Sequence, residues 1–178
     1  MGTKVVLKDV RVSYPHLFKA RGFAGQDPKF SVSIIIPKDH PQVDEVKLAI
    51  RQQVEERWPD KAKRPGGLHN PLRDGDTDRP NDEAYQGCFF VNANTTIDQP
   101  PVVVDGMKRK VENLSYWNAG DYANISVDFY PFENQAKRGV GVGLRLVQFF
   151  RKGEPLGGRG NVIDDVGVVE AADESIFD

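Results

Sequence analysis

Hydrophobic and polar residues alternate with a period of two along five stretches of the chain. These stretches cover residues 5–14, 30–36, 88–93, 123–130 and 140–147. Successive side chains of a β-strand point to opposite faces, so each stretch predicts a strand with one buried face. In the third stretch, for example, Phe89, Val91 and Ala93 occupy alternate positions. Five strands of this kind favour a barrel or a sandwich.

One segment departs from this pattern and has helical spacing instead. Its apolar positions recur at intervals of three and four residues: Val43, Val46, Ile50 and Val54. Asp39 is a suitable N-cap, and Pro41 suits a first helical turn. Trp58 precedes Pro59, and a proline disfavours helical geometry at the residue before it. The sequence therefore predicts one amphipathic helix over roughly residues 41–57, between the second and third strands.

Two irregular stretches separate the remaining strands. Residues 59–86 contain four prolines and few apolar residues, which predicts a long polar loop inserted in the domain. Loops longer than about 15 residues without secondary structure are usually functional or disordered. Residues 95–120 hold the short apolar run Val102–Val104 and the cationic triplet Lys108–Lys110. We interpret this second stretch as a hairpin-like excursion.

Charge is distributed unevenly between the body of the chain and its end. The protein has 178 residues and a net charge of −2. Residues 161–178 contain six acidic residues and no basic one, whereas residues 1–160 contain 24 bases and 20 acids. We therefore expect a folded domain over residues 1–160, followed by a disordered acidic tail over residues 161–178. Such a tail is common in proteins that handle nucleic acid, although a solubilising tail is the alternative.

The tip of this tail combines carboxylates with two large apolar side chains. It consists of Asp173, Glu174, Ser175, Ile176, Phe177 and Asp178. An apolar anchor between carboxylates suits a basic, apolar pocket on a partner protein. The charge can also compete for a cationic groove on the domain itself. Docking of Ile176 and Phe177 onto their own barrel remains the alternative.

Several classes of protein are excluded by composition. No stretch approaches the roughly 20 apolar residues of a membrane helix. The start of the chain lacks the apolar core of a signal peptide. A single cysteine, Cys88, excludes an internal disulfide and most zinc frameworks. These features indicate a soluble, cytosolic protein with no membrane partner.

The sequence carries no enzyme signature. Asp74, Asp76 and Asp78 have the spacing of the first calcium ligands of an EF-hand, but Arg79 and Tyr85 occupy the positions that require glycine and glutamate. A carboxylate cluster for catalytic magnesium stays open as an alternative to a solvated turn. The three histidines have no metal-ligand spacing. We therefore expect no metal, no cofactor and no catalytic residue.

Aromatic side chains close to cationic ones are more informative. Single-stranded nucleic acid is bound by rings that stack on bases and by cations that follow the phosphates. The candidates for DNA contact are Tyr14, Phe18, Lys19, Arg21, Lys108, Arg109, Lys110, Tyr116, Trp117, Tyr130 and Arg145. We expect the first four to form one rim of a groove, and the residues from Lys108 to Trp117 to form another. The alternative is that about half of the aromatic residues are core.

The glycines at positions 139, 141 and 143 alternate with apolar residues, so they lie within a strand. A phosphate-binding glycine loop would instead follow a strand and open a helix. Glycine within a strand permits strong coiling or a close approach of another backbone. We favour this structural interpretation.

Residues 4–15, followed by Leu17 and Phe18, resemble the opening of a family of bacteriophage single-stranded-DNA-binding proteins. The resemblance continues through residues 30–38, 72–76, 139–144, 147–148 and 153–159. Each motif is weak alone, but their order and spacing together are specific. The resemblance covers nearly the whole body of the chain.

This resemblance implies an OB-fold, which is a five-stranded barrel with a helix between the third and fourth strands. It also implies binding of single strands without strong sequence preference, and an acidic tip that recruits replication proteins. The helix predicted from periodicity instead follows the second strand. Either a further strand lies in residues 95–120 or the helix is an insertion.

The sequence thus predicts a mainly β, OB-fold-like protein that coats single-stranded DNA during phage replication or recombination, in the cytoplasm of the bacterial host. Its expected partners are single-stranded DNA and replication or recombination proteins that the tail captures, with a homodimer left open. Two other functions remain as alternatives. One is a metal-dependent, nuclease-like enzyme that uses Asp74, Asp76 and Asp78, and the other is a protein-interaction module.

Overall fold

The first strand, β1 (Thr3–Arg21), is bent and so takes part in two halves of one sheet. Its first half pairs with β6 (Tyr122–Glu133) and its second half with β2 (Lys29–Pro37), both in antiparallel orientation. Each ladder shifts register near a residue with positive φ, namely Asp9 at 54° and Tyr14 at 47°. Such bulges increase bend and twist, which allows one strand to join both halves.

Two further long strands are β4 (Cys88–Thr96), which pairs with β2, and β7 (Arg138–Arg151), which pairs with β6, both antiparallel. They complete a closed barrel in the order β4-β2-β1-β6-β7. A parallel contact between Asn94 of β4 and Gly143 of β7 closes the ring. The predicted five-stranded, OB-fold-like barrel is therefore confirmed.

Two short strands lie at the margins of the barrel. Strand β3 (Arg73–Asp74) pairs with β4, and β5 (Val102–Val104) pairs in parallel with β7. Strand β5 is the apolar run within residues 95–120, so this stretch does contain a further strand. It lies beside the barrel and is not one of its five closed strands.

The inner faces of the five strands form one apolar core. Its fully buried members include Leu7, Ile34, Val91, Ile125 and Phe129. Burial of a side chain of this size stabilises the fold by about 1.5–3 kcal/mol. The period-two pattern thus follows from the alternation between this core and the outer faces.

Each end of the barrel is covered by a different segment. Helix α1 (Val43–Arg57) lies near the start of β1, where the Gln53 side-chain amide donates to the Thr3 hydroxyl at 2.6 Å. At the other end, the Trp117 indole stacks on the Phe149 ring, with 5.1 Å between centroids. Trp117 therefore packs against the core.

Helix α1 follows the second barrel strand, as its periodicity predicted. The helix position implied by the family resemblance is wrong, because residues 97–121, between the third and fourth barrel strands, contain β5 and turns. The apolar face of α1, which includes Val46 and Ile50, packs on β1, β6 and β7. The predicted N-cap is also corrected from Asp39 to Gln42, whose side chain donates to the Val6 carbonyl.

Residues 59–86 are polar but contain several short elements. They include 3-10 turns at Lys61–Lys63 and Glu83–Tyr85, and helix α2 (Gly75–Asp78) directly after β3. The segment is anchored by Tyr85, which is 1% exposed. Leu72, which packs on the core, and the pairing of β3 with β4 anchor it further.

The computed structural model describes residues 2–22 and 25–156. The predicted acidic tail, including Asp173, Glu174, Ile176, Phe177 and Asp178, lies outside the described residues. Within the described ranges, no helix combines the length and apolar character needed to cross a membrane.

Candidate nucleic-acid interface

Small polar residues cover the outer face of β2 and β4. Ser33 pairs with Asn92 and Ser31 with Asn94, so the four side chains form a square on this face, with Ser33 buried at the corner where its hydroxyl meets that of Tyr85. Asn94 in turn pairs with Gly143, so this face continues onto β7. Because these side chains are short, a ligand can approach the strand backbones closely.

Three open cavities, with volumes of about 620, 370 and 500 Å³, lie over this face. The first and second share Arg79 and Asn92, and the second and third share Arg21 and Ser31. Because neighbouring cavities share lining residues, they form one continuous depression. We call this depression the groove.

Arg79 lies at the centre of one rim of the groove and contacts three aromatic rings. Its guanidinium carbon is 5.6 Å from the ring centroid of Tyr14, 4.9 Å from that of Tyr85 and 5.4 Å from that of Phe90. These distances fall in the range of cation–π attraction. The Tyr85 and Ser33 hydroxyl oxygens are hydrogen-bonded at 2.9 Å, which fixes one ring against the floor.

Helix α2 places Arg79 on this rim. The Asp74 carboxylate accepts a hydrogen bond from the Asp76 amide and caps the helix, and Arg79 follows its last residue. A Cβ at Gly75 would lie 2.1 Å from the Tyr85 carbonyl oxygen, so only glycine fits there. This close packing holds the short helix against the Tyr85 turn.

Cations of the groove differ in whether they have a carboxylate partner. Arg73 forms an ion pair with Asp78 at 2.6 Å. Arg21, Lys29 and Arg79 form none within residues 2–22 and 25–156. Three cations along one groove, without carboxylate partners in the described structure, create a positive potential that attracts an anionic ligand.

Two histidines line the groove, and both are held in the neutral form. Burial is the main cause that lowers the pKa of His16 below its ordinary value of 6.5, and the nearby Arg21 cation lowers this pKa further. Burial is also the main cause that lowers the pKa of His69 below 6.5, and the charges of Lys137 and Arg73 lower this pKa further. At neutral pH these side chains therefore present uncharged rings to the groove.

The residues predicted for the first rim separate into two groups. Tyr14, which is 50% exposed, and Arg21 line the groove. Phe18 and Lys19 instead line a neighbouring shallow cavity, together with Asn113. Arg21 belongs to both cavities, so this cavity adjoins the groove.

Tyr130 and Arg145 lie beside the floor, on the outer face of β6 and β7. Tyr130 packs on Gly141, where an added Cβ would lie 2.7 Å from its ring. Arg145 forms an ion pair with Asp128 at 3.0 Å. Gly141 lies two residues before Gly143, which pairs with Asn94. Tyr130 therefore extends the same outer surface.

Gly139, like Gly141, is closely approached by another part of the chain. The backbone of His69 bridges to it, and an added Cβ would lie 2.4 Å from the His69 amide nitrogen. The preferred structural interpretation of these glycines therefore agrees with the geometry, since their partners belong to the chain itself.

The cationic triplet and the aromatic pair predicted for the second rim lie on the segment between β5 and β6. Arg109 forms an ion pair with Asp105 at 2.9 Å, between its exposed neighbours Lys108 and Lys110. Tyr116 packs edge-on against Trp117. The structure does not bring these five residues into the lining of the groove. Their contact with DNA stays a prediction.

Arg79, Lys29, Phe90 and the polar floor were not predicted from the sequence. Arg79 lies in a stretch that was predicted to be a polar loop, and its aromatic neighbours come from three distant parts of the chain. No local pattern indicates that contact. The floor had a usable signal, because Ser31 and Ser33 alternate with apolar residues of β2.

Asp74, Asp76 and Asp78, the carboxylates of the nuclease-like alternative, all form ion pairs. The Lys38 ammonium contacts Asp74 at 3.0 Å and Asp76 at 2.8 Å, which lowers the pKa of both carboxyl groups. Asp78 pairs with Arg73. No cluster of three or more metal-ligating side chains occurs in the part of the chain that the structure describes.

Comparison with known proteins adds family relationships to this geometry. Protein p50 of Acyrthosiphon pisum secondary endosymbiont phage 1 is 32% identical over 184 residues, which cover 94% of this chain and 96% of that protein. The single-stranded DNA-binding protein of bacteriophage Enc34, solved in complex with ssDNA, superposes with a TM-score of 0.77 at 22% identity. That match covers 86% of this chain and 89% of the other.

A second phage protein has the same fold. The single-stranded DNA-binding protein gp2.5 of bacteriophage T7 matches with a TM-score of 0.64 at 17% identity, over 96% of this chain and all of the other. The family model described as the ssDNA-binding protein of Enterobacter phage Enc34 matches residues 3–176. This match confirms the predicted phage family, and the chain belongs to the family of the Enterobacter phage Enc34 ssDNA-binding protein.

Proposed function

We propose that this protein binds single-stranded DNA in the groove on the outer face of β2 and β4. The observation that carries the proposal is the floor of small side chains beside Arg21, Lys29 and Arg79, which lack carboxylate partners in the described structure. Family membership supports it, because the Enc34 protein of the same fold was solved with ssDNA.

Each part of the groove has a distinct role in this proposal. Arg21, Lys29 and Arg79 contact phosphates, whereas the exposed ring of Tyr14 stacks on bases. Every base has a stacking face, so this kind of binding tolerates most sequences. The strand lies along the floor, where Ser31 and Asn94 leave room for it.

The other predicted contacts extend the same surface. Tyr130 and Arg145 continue the floor across β7, and Phe18 and Lys19 line the adjoining cavity. We keep the segment from Lys108 to Trp117 as a second contact. Its Asn113 lines the adjoining cavity, but its five predicted DNA contacts do not line the groove, so their contribution can be measured independently.

The proposed biological role is to coat exposed single strands during phage replication or recombination, in the cytoplasm of the bacterial host. The protein acts in this role by binding, without catalysing a reaction and without a cofactor. The ion pairs of Asp74, Asp76 and Asp78 support a structural role for the carboxylates of the nuclease-like alternative.

The acidic tail is proposed to regulate this binding. Leu156, the last described residue, lies beside Tyr14 in a cavity that adjoins the groove. A flexible segment of the length of residues 161–178 can reach across a small barrel. Its six carboxylates compete with phosphate at low salt, and Ile176 and Phe177 anchor replication or recombination proteins. A homodimer stays a prediction.

The test of DNA binding is the triple variant Arg21→Ser, Lys29→Ser, Arg79→Ser. Each phosphate contact with a single strand contributes about 0.7 log units of affinity per decade of salt. Loss of three contacts should therefore lower affinity for oligo-dT about 100-fold at 0.1 M salt, and much less at 1 M. Fluorescence anisotropy with a labelled oligonucleotide measures both values.

The matched control removes three exposed cations elsewhere, with Lys8→Ser, Lys47→Ser and Arg51→Ser on and beside α1. It has the same net charge as the groove variant, so a general charge effect would weaken both equally. Thermal unfolding checks that both variants fold. Equal losses in the two variants, or equal wild-type affinity for oligo-dT and duplex DNA, would contradict the proposal.

An incubation with Mg²⁺ distinguishes DNA binding from the nuclease-like alternative. The oligonucleotide is incubated with the protein, with and without Mg²⁺, and its length is then measured by electrophoresis. We expect intact DNA in both samples. Cleavage that depends on Mg²⁺ and is lost in Asp74→Asn would assign the function to the enzyme.

Truncation after Gly160 tests the tail. It changes the net charge from −2 to +4, because six acidic residues and no bases are removed. DNA affinity should rise, most clearly at low salt, since salt screens the competition. The double variant Ile176→Ser, Phe177→Ser should keep full DNA affinity and lose capture of replication proteins. Weaker DNA binding after truncation at every salt concentration would make the tail part of the DNA-binding surface.

A further inference from the structure

A second concentration of cations lies outside the groove, where the end of α1 meets the turn between β6 and β7. Residues 57–65 and 133–138 contain six bases and two acids. The six bases are Arg57, Lys61, Lys63, Arg64, Lys137 and Arg138. We call this surface the α1-end patch.

A shared carboxylate joins the two halves of the α1-end patch. Glu133 accepts a hydrogen bond from the Arg57 guanidinium at 3.0 Å, and its other oxygen lies 3.9 Å from Arg138. The Arg64 guanidinium donates to the Trp58 carbonyl, which holds the chain after the helix. Arg57 and Arg138 therefore lie on one surface although they come from separate parts of the sequence, and the turn that holds Lys61 and Lys63 closely follows Arg57 along the chain.

The α1-end patch is continuous with one end of the groove. The backbone amide of His69, a groove residue, donates to the Arg138 carbonyl at 2.8 Å. The Lys137 charge is close enough to His69 to lower its pKa. Lys63 is six residues before His69 and so lies within about 21 Å of it along the chain. A strand that leaves the groove past His69 meets these cations next.

Stabilisation of α1 does not account for all of this charge. Arg57, in the last turn, interacts favourably with the negative end of the helix dipole. Lys61 and Lys63 lie beyond Pro59 in a separate 3-10 turn, whose cap is the Asp60 carboxylate. Both are exposed, and neither ammonium group has an ion pair or a hydrogen bond with the described residues.

We propose that single-stranded DNA leaves the groove past His69 and continues onto the α1-end patch, where Lys61, Lys63 and Lys137 contact its phosphates. This inference rests on the proposed function, because it extends the path of the same strand. These three side chains contact phosphates through their ammonium groups, so the contacts are electrostatic. Short oligonucleotides fill the groove alone, and longer ones reach the α1-end patch.

The experiment measures affinity against oligonucleotide length for wild type and for Lys61→Ser, Lys63→Ser. Lengths of oligo-dT from about 4 to about 30 nucleotides cover and exceed the usual site size of one OB-fold. Loss of two phosphate contacts should lower affinity for the longest oligonucleotide about 25-fold at 0.1 M salt, and should reduce the salt slope by about 1.4. Affinity for the shortest oligonucleotide that binds should stay within about twofold of wild type.

The matched control is Lys8→Ser, Lys47→Ser, which removes two exposed lysines near the other end of α1. It should follow wild type at every length. Thermal unfolding should show all three proteins within about 2 °C of each other, because exposed substitutions change stability little.

The outcomes separate this inference from the proposed function. A wild-type protein that binds no single strand at any length would overturn both. Loss in the α1-end variant that is equal at all lengths, or that the control shares, would overturn the inference and leave groove binding intact. An α1-end variant that binds like wild type at every length would also overturn the inference and leave groove binding intact. Tighter binding in the α1-end variant would also overturn it, and would assign the α1-end patch to an acidic segment such as the tail.

Discussion

The outer face at the start of β6 and the end of β7 satisfies its polar groups internally, whereas the groove face of β2 and β4 does not. On the first face the Asn124 amide donates to Gln148 at 3.1 Å. Arg151 forms an ion pair with Asp9 at 2.8 Å and lies over the ring of Tyr122, 3.8 Å from its centroid. We call this the ladder face. On the groove face, three cations have no carboxylate partner among the described residues.

This difference supports the proposal that the groove face binds DNA and that the groups around the ladder face contribute to stability. A buried polar group that already has a partner gains little from a ligand, and its removal disturbs the fold. A cation without a carboxylate partner adds no ion pair to the fold, but it releases counterions when it contacts a phosphate. Substitutions of buried, paired groups beside the ladder face should therefore lower stability, whereas groove substitutions should lower DNA affinity.

The largest expected effect is a loss of stability at Asp121, next to the ladder face. Its buried carboxylate contacts the Lys152 ammonium at 2.8 Å and accepts hydrogen bonds from the amides of Asn118 and Gly153. The Lys152 side chain is 41% exposed, so the cost of removing the carboxylate comes mainly from the two amides that lose their acceptor, at about 1–3 kcal/mol each. Asp121→Ala should therefore lower Tm by roughly 6–12 °C or more for a chain of this size, as measured by calorimetry.

Asp9→Asn is the matched control for that variant, since asparagine tolerates the positive φ of this position better than alanine does. It removes a carboxylate whose ion pair with Arg151 is about half exposed, and such pairs contribute about 1 kcal/mol or less. Both variants should bind oligo-dT like wild type at a temperature where they are folded. Equal Tm losses in the two variants would contradict the larger contribution to stability that we assign to the buried Asp121 carboxylate.

The next effect concerns Trp117, a predicted DNA contact that the structure packs against Phe149. Because the indole is half buried on the core, Trp117→Ala should cost about 2 kcal/mol and lower Tm by roughly 4–8 °C. Trp117→Phe should recover most of this loss. DNA affinity of the folded variants then shows whether Trp117 also contacts bases. A Tm unchanged in Trp117→Ala would contradict the packing role.

A smaller effect is expected on binding when single tyrosines are removed. Tyr14 and Tyr116 are 50% and 64% exposed, but only Tyr14 lines the groove. Stacking on one ring contributes about 1–3 kcal/mol per base. Tyr14→Ala should lower affinity for oligo-dT by about tenfold, and Tyr116→Ala by less. Fluorescence anisotropy measures both. A larger loss in Tyr116→Ala would move the principal site to the segment between β5 and β6.

The barrel could be predicted from the sequence because its strands alternate regularly between core and surface. The helix was also predictable, since Val46 and Ile50 of α1 pack on the same core. In both cases the signal is local and repeats every two or about 3.6 residues. The family resemblance was less accurate than the periodicity about where the helix lies.

The groove could be predicted only in part, because its rims meet through tertiary contacts. Tyr14 and Arg21 were identified because an aromatic ring and a cation lie close together in one strand. Arg79 was not, since its three aromatic neighbours lie at positions 14, 85 and 90 and meet only in the folded protein. The ion pairs of Arg109 and Arg145 likewise depend on which carboxylates the fold places beside them.

The smallest expected effect is a dependence of DNA affinity on pH through His16 and His69. Burial and nearby cations lower both pKa values in the free protein, so both rings are neutral at pH 7. A phosphate bound nearby favours the imidazolium form and raises the pKa in the complex. Each histidine then takes up a proton on binding. This uptake begins as the pH falls through the pKa of the complex, and the gain in affinity is complete below the lowered pKa of the free protein.

DNA affinity should therefore rise by roughly two- to fivefold between pH 7.5 and pH 5.5 at constant ionic strength. Calorimetry in two buffers of different ionisation enthalpy measures the proton uptake directly. The double variant His16→Gln, His69→Gln should show a flat profile. His40→Gln should keep the wild-type profile, because His40 is outside the groove and contacts the Lys8 carbonyl. A rise that persists in the double variant would show that other groups on the binding surface titrate, and a flat wild-type profile would show that no phosphate lies near either ring.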